Sequence, residues 1–99
     1  MNDPIKIHEL PVFDPAEHLK DRKDIAAYLA AVLEEGDPAE LAQALGVVAK
    51  ARGMTEIARE AGISRETLYR ALQPGNSPKM DIIIKVCRAL GCKLTVIAA

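Results

Sequence analysis

Between Ser64 and Gln73 the sequence "SRETLYRALQ" sets Ser64, Arg65, Glu66, Thr67, Tyr69, Arg70 and Gln73 almost side by side. Their chemistry is recognition rather than bond-breaking. An Arg can contact guanine with two parallel hydrogen bonds, a Glu can accept from cytosine, and hydroxyls can donate to phosphate. Arg65 and Glu66, near the start of the helix this stretch predicts, are best placed for base edges. Tyr69 and Arg70 suit phosphate or a thymine methyl, and Gln73 lies on the same outward face. Ser64, Thr67 and the amides they flank suit phosphate, with Thr55 in the same role one helix earlier and Lys79 adding a further backbone contact. A merely solvated helix face would carry similar residues.

Such a face needs elements that hold it away from a core. "EIAREAGISRETLYRAL" predicts a short helix at about Thr55 to Ala61, a glycine stop at Gly62, and a second helix capped by Ser64 and running to about Leu72. Ala58 and Gly62, four apart, provide the small residue and the left-handed turn that a helix-turn-helix requires, while Ile57, Ile63 and Leu68 fall where they point inward. Upstream, Ile25, Tyr28, Leu29, Val32 and Leu33 mark one face of a helix ending at Gly36. Asp37 and Pro38 open another, lined by Leu41, Ala44, Leu45, Val48 and Ala49. Downstream of "QPGNSP", Ser77 is the expected cap and Pro78 the first residue of a last helix, with Met80, Ile83, Ile84 and Cys87 on its inner face.

The ends are expected to be different. Residues 1–20, with Pro4, Pro11 and Pro15, predict an extended arm, and residues 21–99 a single domain. "KLTVIAA", Lys93 to Ala99, alternates like a short β-strand, which would pair with the arm or with the same strand of a second subunit. The expected fold class is therefore all-α: a five-helix bundle containing a helix-turn-helix, flanked by an arm and a strand.

Composition narrows the function classes. With 99 residues, 49% hydrophobic and 3% aromatic, the chain can build one small core of aliphatic side chains. No run approaches a membrane span, and the start lacks a signal pattern, so a cytoplasmic protein is expected. His8 and His18 form no HExxH pattern, and no phosphate loop, GxSxG turn or metal-binding loop is present. No enzyme, metal or cofactor is expected. Cys87 and Cys92, five apart, match neither a redox pair nor zinc spacing. Residues 1–49 carry four basic side chains against ten carboxylates, a charge of −6, whereas residues 50–99 carry nine against four, a charge of +5. Either both halves are solvated surface, or the basic half faces a polyanion while the acidic half meets a cationic partner.

The distinctive stretches "YLAAVLEEGDPAELAQALG", "AKARGMTEIAREAGISRETLYRAL", "GNSP" and "RALGCKL" resemble the HigA-like antidotes of addiction modules, type II antitoxins with a Cro/phage-repressor (XRE) helix-turn-helix. The resemblance spans about residues 12 to 96, departing at "KM" after Pro78 and at Cys92. It implies a homodimer that binds a palindromic operator in double-stranded DNA of its own promoter and neutralises a RelE/HigB-type toxin. Independently of the resemblance, two modules on a two-fold axis, about 34 Å apart, would read both half-sites. Two alternatives share the fold: a stand-alone transcription repressor without a toxin, and a protein-interaction module that does not bind DNA.

Overall fold

The computed structural model describes residues 21–99, so the arm expected over residues 1–20 lies outside them. Five helices follow one another: α1 (Arg22–Glu35), α2 (Pro38–Arg52), α3 (Met54–Ala61), α4 (Arg65–Ala71) and α5 (Met80–Ala89). Among the described residues the fold is all-α.

Local chemistry explains most boundaries. The Asp21 carboxylate accepts from the Asp24 amide at 2.9 Å and opens α1, and Asp37 accepts from the Ala39 amide at 2.9 Å with Pro38 behind it to open α2. Each satisfies an amide that has no partner inside its helix. Gly62, at φ 75°, ends α3. Its amide donates to the Arg59 carbonyl at 3.2 Å and the Ile63 amide to the Ala58 carbonyl at 3.0 Å, the paired bonds of a Schellman stop. The end of α5 repeats the device: Gly91 donates to Arg88 at 3.0 Å and Cys92 to Cys87 at 2.8 Å. The five-residue spacing of the two cysteines is thereby explained. They occupy the positions whose side chains meet across such a stop, as Ala58 and Ile63 do in the first.

The core joins all five helices. Ile25, Leu45, Val48, Ile57, Leu68, Val86 and Leu90 are almost fully buried, with Leu29, Leu41, Met54, Leu72 and Ile83 around them. Each such side chain contributes about 1.5–3 kcal/mol of transfer free energy. No polar or charged residue among those described is buried, so the interior carries no desolvated charge. Helix α3 packs on α2, α4 and α5, and α2 on α1.

Three expectations are corrected. The last helix starts at Met80 with Lys79 as its extended, side-chain-free cap, two residues after the predicted Ser77–Pro78 start. Pro78 is instead half-buried beside Val32, Leu33, Pro38 and Met80. It shares a groove at the α1–α2 corner with those residues, and Lys79 after it is still extended. Of Met80 and Ile84, both expected on the inner face, Met80 is 64% exposed and Ile84 is half-buried outside the core; the inner face is Ile83, Val86, Cys87 and Leu90. The strand expected over Lys93 to Ala99 is absent. A ladder requires a second strand, and none exists among the described residues, so Val96 and Ile97 are left 94% and 83% exposed.

Candidate functional site

Only Leu68 of α4 is buried; Ile63 before the helix and Leu72 after it supply the other apolar anchors. Seven residues are thus suspended from three apolar side chains, because the Gly62 stop swings the chain sharply away from α3. Arg65, Glu66, Tyr69, Arg70 and Gln73 line one shallow depression. Arg65 and Tyr69 also border a second, whose other walls are Lys50, Gly53, Met54, Thr55 and Glu56. One surface therefore runs from the end of α2, across the start of α3, to the exposed side of α4. It is too open to enclose a small molecule and suits an extended ligand.

The structure brings together Thr55, Arg65, Glu66, Tyr69, Arg70 and Gln73. Ser64 and Thr67 adjoin them but are engaged with each other. The Ser64 hydroxyl accepts from the Thr67 amide at 3.0 Å and donates to the Thr67 hydroxyl at 2.8 Å, which leaves only the Thr67 hydrogen to donate elsewhere. Lys79 lines neither depression and stands apart at the start of α5. Lys50 was missed. In the last turn of α2 beside Arg52, it looks in the sequence like the usual cation at a helix C-terminus, and its place depends on where Gly53 redirects the chain.

The cations on this face differ in their neighbours. Arg59, on α3, pairs with Glu56. Among the described residues neither Arg65 nor Arg70 forms an ion pair. The Arg65 guanidinium lies over the Tyr69 ring, 5.2 Å from its centroid, and the Arg70 carbonyl accepts from the Asn76 side chain, which ties the following loop to α4.

Titratable groups with shifted pKa values lie elsewhere. Burial raises Tyr28, and burial reinforced by the neighbouring Cys92 pushes Cys87 up to about 11. Burial also raises Cys92, against an opposing pull from Arg22 and Arg52. Both cysteines are free thiols, and their raised pKa values make them poor nucleophiles. Among the described residues no group of His, Cys, Asp and Glu could hold a metal ion, and no helix is long and apolar enough to cross a membrane. His8 and His18 lie outside those residues.

Residues 9–98 match the sequence pattern of a family described as "Probable addiction module antidote protein". An uncharacterised protein of Haemophilus influenzae is 43% identical over 88 residues, covering 89% of this chain and 91% of the relative. No solved structure matches the chain. With nearly its whole length covered by the family's pattern, the chain belongs to the addiction module antidote proteins.

Proposed function

We propose that this antidote is a HigA-like antitoxin whose α3–α4 corner is a Cro/phage-repressor (XRE) helix-turn-helix, and that it binds palindromic operator DNA in its own promoter as a homodimer. In this reading it represses its own operon and neutralises a RelE/HigB-type toxin by binding it in the cytoplasm. The observation that carries the reading is the exposed side of α4: a helix with one buried residue of its own, presenting Arg65, Glu66, Tyr69, Arg70 and Gln73 on one open surface. Seven residues span about 10 Å, a length that fits a major groove about 12 Å wide.

The roles follow from chemistry. Arg65 reads guanine and Glu66 accepts from cytosine. Arg70, Gln73, Thr55 and Lys50 grip the backbone, and the remaining hydroxyl hydrogen of Thr67 donates to phosphate. Ser64 holds the helix start, while Lys79 touches the backbone farther along. Residues 21–99 form the DNA-binding domain, and the toxin meets the acidic side, α1 with residues 1–20.

The test is a titration of the protein against a fluorescent duplex of its own upstream DNA, beside the Arg65→Ala/Arg70→Ala double variant. Selective binding that weakens with salt and is lost in the variant supports the reading. Equal behaviour of the two proteins would sink the DNA role and leave a protein-interaction module. A repressor without a toxin would bind the duplex equally well but capture no product of the adjoining gene.

A further inference from the structure

The two arginines of α4 stand in unlike surroundings. Arg65 and Tyr69 are four residues apart, which stacks their side chains on one face of the helix. Arg65 Nη2 lies 3.3 Å from Tyr69 Oη, to which it donates, and the guanidinium carbon is 5.2 Å from the ring centroid. That separation is inside the range of about 6 Å over which a ring face attracts a cation. Tyr69 is 36% exposed and borders both depressions, so the ring lies where the two meet. Among the described residues no aromatic ring underlies Arg70, and no carboxylate pairs with either arginine.

A long, flexible cation loses rotamer freedom when it engages a base edge, and an aromatic floor that already holds the guanidinium removes part of that cost before binding. Stacking on a ring face consumes no N–H, and the Tyr69 oxygen takes only one. The other N–H groups of the guanidinium stay available for the O6 and N7 of guanine.

Resting on the DNA reading of this surface, we infer that Tyr69 is a positioning residue for Arg65, and that the stacked pair sets base discrimination while the unstacked Arg70 supplies sequence-blind phosphate affinity. Tyr69 is thus a specificity determinant rather than a backbone contact. This departs from the phosphate or methyl contact that residue type alone implies for Tyr69.

The experiment is a double-mutant cycle on the full chain with two fluorescein-labelled duplexes: the DNA upstream of the protein's gene, and a duplex of the same composition in scrambled order. Tyr69→Ala is expected to lower the preference for the upstream duplex about two- to fivefold, with the salt dependence unchanged. Added to Arg65→Ala, it lowers the preference no further. Tyr69→Phe retains the ring and most of the preference. Arg70→Ala weakens both duplexes alike and reduces the salt slope by about one. In the free protein, the Arg65 side-chain proton resonances lie upfield of their positions in Tyr69→Ala, a ring-current effect that reports the stacked contact itself.

Additive losses in the cycle would overturn the inference, as would unmoved Arg65 resonances or equal weakening of both duplexes by Tyr69→Ala. In each of those cases Arg65→Ala still loses discrimination and the DNA reading stands. If Arg65→Ala alone keeps the wild-type preference, the inference fails; if the Arg65→Ala/Arg70→Ala variant also binds both duplexes as the wild type does, the DNA reading fails with it.

Discussion

A methyl group added at Gly46 and one added at Gly91 would meet opposite fates. Gly46 lies inside α2, and its added carbon would sit 3.5 Å from the Leu72 carbonyl, an ordinary contact. Gly46→Ala should therefore stabilise the fold by about 0.5–1 kcal/mol, through the better helix propensity of alanine. Gly91 holds φ at 83° in the stop that ends α5, and a methyl there would run into the Arg22 side chain. Gly91→Ala should cost about 1–2 kcal/mol from the left-handed backbone alone. Urea unfolding of both variants checks the opposite signs. The thiol of Cys87, at the other end of the same stop, predicts a pH dependence. Its pKa rises from 9.0 to about 11 on folding. The folded state thus keeps the proton that the unfolded state releases, and stability is intact below pH 9 and falls between 9 and 11. Tyr28 shifts in the same direction, so the comparison must be with Cys87→Ala: the urea midpoint of the wild type should drop more steeply over that interval. Parallel curves would remove the thiol from the account.

The helix boundaries show what was legible at the level of elements. Asp37, Gly36 and Gly62 each stop or start a helix by local bonding of a few neighbouring residues, so sequence sufficed for them. The outward face of α4 was legible for the same reason, since one buried residue, Leu68, fixes its orientation. The place of Pro78 was not legible, because it lines a groove with residues of the α1–α2 corner some forty positions earlier, and no residue near it in sequence announces that neighbourhood. Lys50 was missed similarly: it joins Thr55 and Arg65 only once Gly53 has turned the chain. The late start of α5 leaves a helix end without a side-chain cap, although Lys79 already has the extended backbone of a cap at ψ 154°. Lys79→Ser should supply the missing acceptor and raise stability by about 0.5–2 kcal/mol in urea unfolding. If Lys79 also touches the DNA backbone, the same variant binds the upstream duplex more weakly, with the salt slope reduced by about one. A more stable protein with unchanged DNA affinity would remove Lys79 from the interface and leave the rest of the surface intact.

On the proposed reading, charge separates two tasks across the whole molecule. The positive half carries α4, whereas the exposed carboxylates Glu34, Glu35, Asp37 and Glu40 gather around the corner between α1 and α2. An exposed carboxylate contributes little affinity but much steering, since approach of a cationic partner is accelerated at low salt and the advantage is lost as the Debye length shrinks to about 8 Å at physiological ionic strength. Asp37 also caps α2 through the Ala39 amide, so reversing its charge would mix folding with docking. Glu34 and Glu35 have no described partner and are the clean choice. If the proposed toxin docks there, Glu34→Lys/Glu35→Lys should slow its association about tenfold at low salt, with the two proteins converging as salt rises. The fold and the affinity for the upstream duplex should be unchanged. The Arg65→Ala/Arg70→Ala double variant should do the reverse, losing DNA while associating with the toxin at the wild-type rate. Stopped-flow association at two salt concentrations, beside the DNA titration, measures both. If charge reversal on α1 leaves the toxin rate unchanged while the arginine variant slows it, the toxin docks on the basic side, and toxin and DNA compete for one surface.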